Sequence, residues 1–157
     1  MEAKKVKDSS VVMTQVMTPQ DVNIAGNVHG GVIMKLIDSA AGAVAIRHVR
    51  TNVVTASVDR LDFHNPVFVG DLVTLKASLN LVGRSSMEVG VYVQTENLVT
   101  GEIRHTASAY LTLVALDKDS KPLAVPPLIL ETEDEVRRNR EAQARREIRL
   151  RERKSRK

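Results

Sequence analysis

The sequence has no cysteine and no tryptophan, and only two tyrosines and two phenylalanines among 157 residues. Without cysteine there are no disulfides, thiolate metal ligands or thiol nucleophiles, and nothing points to an oxidising compartment. The charged N-terminal segment Met1 to Asp8 runs into no apolar stretch long enough for a signal peptide or membrane span. The expectation is a soluble, unanchored cytoplasmic protein with no membrane partner. Scarce aromatics remove the stacking platforms that a single-stranded nucleic-acid binder uses. Charge argues the same way. Residues 131–157 carry eleven basic and seven acidic side chains, whereas the other 130 carry twelve of each. The body is therefore neutral, with no basic face for a nucleic-acid partner.

The length suits one core. Residues 10–17 are rich in β-branched and apolar types and end at Thr18-Pro19, which predicts a first strand. From Gly30 to about His48, Val32, Ile33, Leu36, Ile37, Ala40, Ala41 and Val44 recur at helical spacing. Only Lys35, Asp38 and Ser39 are polar between Gly31 and Ile46, so this helix is expected to be buried over most of its circumference. Period-two alternation predicts four further strands: 51–64, with a change of parity near Asp59 and Arg60, then 73–81, 87–93 and 103–116. Turn signals between the last three imply an antiparallel meander. One long apolar helix among such strands requires a sheet that curls around it, an α+β layout. Its two free edges make a dimer the physical expectation.

The division of the chain follows from composition. Residues 1–117 form the domain, 118–130, with Pro122, Pro126 and Pro127, form a connector, and 131–157 form a charged C-terminal helix or tail. Thr132 and Glu135 stand at capping-box spacing, with acids at the start and bases after them, matching the helix macrodipole. The apolar stripe of this helix is thin, so a solvated helix is the first reading. Packing on a neighbouring subunit is the second. Contact with an acidic ligand, partner or nucleic acid comes last.

Chemistry concentrates between Asn23 and Asp38. Gly30-Gly31 opens the apolar helix, where small residues let a ligand approach unpaired backbone N–H groups and have its carbonyl polarised. Asp38 follows two turns later, roughly 10 Å along the axis. Its helical neighbours Met34, Ala41, Gly42 and Ala45 are apolar or small. Such a carboxylate can act as general base or nucleophile, and a salt bridge to Lys35 is the structural alternative. His29 reads as a cap or packing residue and His64 as structural. Neither His48 nor His105 sits in a metal-ligand pattern, and no metal is expected.

Asn23, Gly26, His29-Gly30-Gly31, Met34 and Ile37-Asp38, with Val54 to Asp59, Phe63, Pro66-Val67, Gly70-Asp71 and Val82-Gly83-Arg84-Ser85-Ser86-Met87, resemble the hotdog acyl-CoA thioesterases of the YciA and brain acyl-CoA hydrolase group. The resemblance covers about residues 8–117. It implies a hotdog fold, Asp38 as catalytic carboxylate, and Asn23 supplied by the partner subunit. The helix start at Gly30 and Gly31 would hold the oxyanion. It further implies a coenzyme A site that includes Gly30, Thr55, Ser57, Gly83, Arg84, Ser85 and Ser86, with Arg84 facing phosphate. No metal or organic cofactor is implied, because coenzyme A is part of substrate and product. A homodimer is the minimal unit and a trimer of dimers the larger assembly. Two alternatives remain at this point, a hotdog enoyl-CoA hydratase or dehydratase and a non-catalytic acyl-CoA-binding protein. The His-Phe-Pro-Gly pattern of fatty-acid dehydratases is absent.

Overall fold

A computed structural model describes residues 1–156. In chain order the elements are β1 (Lys4–Lys5), α1 (Val6–Ser9), β2 (Val11–Val16), a 3-10 turn (Pro19–Asp21), α2 (Gly30–Val49), β3 (Asn52–Phe63), β4 (Leu72–Val82), β5 (Ser86–Glu96), β6 (Ile103–Leu116), β7 (Leu128–Ile129) and α3 (Glu133–Ser155). Strands β4, β5 and β6 form the expected meander. They extend to a five-stranded antiparallel sheet of order β2-β4-β5-β6-β3. This is the hotdog arrangement, one long helix held by a curved sheet.

The alternation of each strand decides what faces the helix. Leu75, Val89, Leu111 and Leu113 point inward and join Ile33, Ile37, Ala40, Ala41 and Val44 of α2 in one core. The fully buried alanines 40, 41 and 45 carry little side chain, so the helix backbone approaches the sheet closely. Helix α2 ends at Arg50, which adopts a left-handed φ of 59° and returns its N–H to the Ile46 carbonyl at 2.6 Å.

One expectation needs correcting and another extending. Within one chain α2 is buried along one face only, with Met34 46% and Ile46 45% exposed. The physical reason is that β3 ends the sheet beside it. No residue of β3 is fully buried, and Val54, Val58 and Phe63 are exposed. The parity change near Asp59 is present, as a register shift between Val58 and Arg60, but a second shift lies between Thr55 and Ser57. The alternation of that segment does not reveal it.

The connector is tied to the body. Val125 donates its N–H to the Arg84 carbonyl and is buried, and β7 pairs in parallel with β1. His48, buried on α2, donates from Nε2 to the Pro126 carbonyl at 2.8 Å. Burial lowers its pKa, the Pro126 hydrogen bond opposes that shift, and the charge of Lys4 adds to it.

Helix α3 starts at Thr132, whose hydroxyl accepts the Glu135 N–H at 3.1 Å. The Glu135 carboxylate accepts from the N–H of Glu131, one residue before the position a full capping box would use. The helix then lies across the outer face of the sheet. Ala142 is fully buried there, Asn139 donates to the Asn80 carbonyl at 2.9 Å, and Arg145 grips Glu88 through two hydrogen bonds of 2.9 and 2.8 Å. The Arg145 guanidinium also stacks 3.6 Å from the Tyr110 ring centroid. Arg149 pairs with Asp59.

Candidate active site

Asp38 projects from the middle of α2 toward the edge strand. Its Oδ1 accepts a hydrogen bond from Thr55 Oγ1 at 2.6 Å, and no ion pair with Lys35 forms among the described residues. Both Asp38 and Thr55 are exposed in the single chain, so the apolar cleft anticipated around the carboxylate is open on one side. The hydroxyl orients one carboxylate oxygen and leaves Oδ2 free to take a proton or attack a carbonyl.

The register of β3 decides which neighbours share that face. Thr55 lies opposite Leu113, whose side chain points to the helix, whereas Ser57 lies opposite Thr112 on the outer side. The shift at Ala56 therefore places Thr55 and Ser57 on opposite faces. The structure brings Thr55 to Asp38 and takes Ser57 away.

A second cluster forms at the N-terminal end of α2. The loop from Val22 to Val28 closes as a small hairpin. Its Asn23 Oδ1 accepts from the Asn27 N–H at 3.2 Å, and Gly26 makes the bend at a φ of 90°. Asn23, Gly30, Phe63, His64 and Asn65 line one cavity of about 430 Å³. His29 caps the helix through its backbone, its carbonyl accepting from Val32 and Ile33 while its side chain makes no capping bond. A Cβ on Gly31 would meet nothing within 4 Å, and one on Gly30 would lie 3.6 Å from the Phe63 ring. The helix start is thus open at Gly31 and lined by an aromatic ring at Gly30.

Asp38 is not among the residues lining that cavity. Seven helical residues separate it from Gly31, roughly 10 Å. One chain therefore holds two separate clusters, Asn23 with the glycine helix start and Asp38 with Thr55. Phe63 and Asn65 of the first half carry no role in the sequence reading. They reach it through the fold, because β3 ends beside the helix start.

The turn joining β4 to β5 is tightly built. Gly83 donates its N–H to the Ser86 carbonyl at 2.8 Å, and Ser85 accepts from the Ala115 N–H. Arg84 is exposed. Ser86 lies opposite Val114, and Val114 opposite Val54, so the turn stands at the end of the sheet that carries Thr55. Among the described residues no three of His, Asp and Glu cluster closely enough to hold a metal ion, and no helix is long and apolar enough to cross a membrane.

Comparison with known proteins agrees with this architecture. The thioesterase superfamily matches residues 25–102. A cytosolic acyl coenzyme A thioester hydrolase of Rattus norvegicus is 40% identical over 146 residues, covering 92% of this chain and 38% of the rat protein. This chain thus spans well under half of that longer relative. The crystal structure of an apo-hexameric acyl-CoA thioesterase superposes with a TM-score of 0.93 at 38% identity, covering 97% of each chain. The Staphylococcus aureus acyl-CoA hydrolase in complex with butyryl coenzyme A, coenzyme A and coenzyme A disulfide gives 0.90 at 34% identity, covering 98% of this chain and 93% of that one. Structures of that enzyme also exist with an aspartate, an asparagine or a threonine replaced by alanine. A shared hotdog fold and identities of this size over nearly the whole chain make it a member of the thioesterase superfamily.

Proposed function

We propose that this chain hydrolyses acyl-CoA to a free fatty acid and coenzyme A, in a site shared between two subunits. The observation that carries the reading is the division into half-sites. Asp38, held by Thr55, stands beside an unpaired edge strand, while Asn23 and the Gly30-Gly31 helix start stand two turns away. A second copy set antiparallel along β3 covers Val54, Val58, Phe63 and the open flank of α2. It also sets the partner's Asn23 and helix start against Asp38. Support comes from the S. aureus variants, whose asparagine, aspartate and threonine stand 15 and 17 residues apart, the separations of Asn23, Asp38 and Thr55.

In this site Oδ2 of Asp38 takes a proton from water as the water oxygen bonds to the thioester carbon. Asn23 of the partner subunit orients that water or the carbonyl. The oxyanion sits on N–H groups at Gly30 and Gly31 of that same partner, donors worth about 3 kcal/mol in such a role. Collapse breaks the C–S bond, and the sulfur leaves as coenzyme A thiolate, which takes up a proton. Direct attack by Oδ2, giving an anhydride that water then cleaves, uses the same residues. Neither route needs a metal or organic cofactor. Arg84, Ser85 and Ser86 at the β4–β5 turn receive the phosphates, and Thr55 contacts substrate as well as Asp38. Three dimers joining as a hexamer fit the hexameric neighbour, and a cytoplasmic setting fits the absence of cysteine and the cytosolic rat relative.

The test is thiol release from acyl-CoA by purified Asp38→Asn and Asp38→Ala. Turnover should fall about a thousandfold with circular dichroism and assembly unchanged. Wild-type turnover in either variant would end the proposal.

A further inference from the structure

The three arginines at the middle of α3 do not share one role. Arg145 and Arg149 are neutralised by Glu88 and Asp59 and fix the helix to the sheet. Arg146, the residue between them in position on the helix, leans instead over the β4–β5 turn. Its Cζ and one terminal nitrogen lie 3.5 Å from where a Cβ on Gly83 would stand, and Ser86 Oγ lies 2.9 Å from the same point. A side chain at 83 would displace that hydroxyl and crowd the guanidinium. Glycine at this position is therefore what lets Arg146 and Ser86 converge.

Arg146 and Arg84 are both exposed, and neither has an acidic partner within salt-bridge distance among the described residues. Two unneutralised guanidinium groups thus flank a turn that carries two serine hydroxyls. A merely solvated basic helix would leave its arginines free to wander. Here the Glu88 and Asp59 contacts, with Ala142 buried beneath, hold α3 in one orientation and so hold Arg146 above the turn. The turn lies at the end of the sheet that carries Thr55, two strands or roughly 10 Å from the edge.

We propose that Arg146 is a substrate-binding residue, the second cation with Arg84 for the phosphate groups of coenzyme A. This rests on the acyl-CoA reading above and extends the site to the C-terminal helix. A planar guanidinium pairs with phosphate oxygens in a bidentate, charge-assisted manner. The ion pairs of α3 then serve to place that group.

Arg146→Gln and Arg146→Lys should each be assayed on an acyl-CoA and on the matching acyl-pantetheine thioester, which keeps the reacting bond and lacks the phosphates. Arg146→Gln should raise KM for acyl-CoA about tenfold with little change in kcat, and leave acyl-pantetheine hydrolysis unaltered. Arg146→Lys should restore part of the loss, and high salt should narrow the gap between wild type and Arg146→Gln. Equal losses on both substrates would make Arg146 a packing residue for the turn and overturn the proposal, as would no loss on either. If the wild type cleaves neither thioester, the hydrolase reading fails by itself. Coenzyme A affinity measured calorimetrically on wild type and Arg146→Gln then decides the phosphate contact, with equal affinities ruling it out.

Discussion

Helices α2 and α3 lie on opposite faces of the same sheet and are held there by opposite chemistry. Seven residues of α2 are buried, six of them apolar, and they mesh with the inward rows of three strands, β4, β5 and β6. A single residue of α3, Ala142, is buried, and its attachment depends on Arg145, Arg149, Asn139 and the acceptors they meet. The first helix is held by apolar area, which is insensitive to partner identity. The second is held by a few polar pairs, each of which fails when one member is lost. On α2 a polar residue is therefore conspicuous, and Asp38 stands out by that contrast. On α3 the informative residue is Arg146, the central arginine left without an acid.

Three single substitutions, one double replacement and a histidine titration with its own variant would break or sharpen the contrast. Leu111→Ala, at 1% exposure in the core under α2, should destabilise by about 3 kcal/mol in chemical denaturation. Glu88→Ala should cost about 2 kcal/mol, because the Arg145 guanidinium remains partly covered with its counter-charge gone. Replacing both together, Glu88→Leu with Arg145→Met, should recover most of that loss. A double variant as damaged as the single one would show that the loss does not come from leaving the Arg145 charge uncompensated. Burial opposes the Arg145 charge, but the contacts with Glu88 prevail and raise its pKa, so the guanidinium stays charged. Thr132→Ala removes the cap of α3 and should cost about 1 kcal/mol, read as lost helicity at that end.

The smallest effect belongs to His48. Its pKa is lowered in the folded state from the ordinary 6.5, so the unfolded chain binds the proton more readily. The stability this burial permits is complete above about pH 6.5 and declines as pH falls below it. Denaturation midpoints at pH 7.5 and 5.5 should differ in that direction, and His48→Gln should reduce the difference. A midpoint that rises on acidification would contradict the assignment.

Much of the inner half of the molecule is legible from residue spacing, because period and composition there report burial directly. The strands at 73–81, 87–93 and 103–116 and the helix from Gly30 appear where alternation and helical recurrence place them. The outer half is less so. Glu88 falls on the polar phase of β5, which correctly directs it outward. Outward does not mean solvated, however, because α3 covers it, and nothing local to Glu88 records a helix more than fifty residues away. The shift at Ala56 is hidden for a related reason. It separates Thr55 from Ser57 through pairing with β6, while the residue types on β3 read as ordinary strand. The positions of Asn23 and Asp38 follow from their elements, yet their separation into two clusters needs the loop hairpin and the helix drawn together in space.

The central claim is that each reaction centre draws Asp38 from one chain and Asn23 from another. Co-expression of Asn23→Ala and Asp38→Ala chains with different affinity tags tests it, with heterodimers verified by mass spectrometry. Each variant alone should be nearly inactive, and random pairing should restore about a quarter of wild-type activity, since half of the dimers regain one site of two. Heterodimers that form and yet show no activity above the separate variants would contradict the shared site.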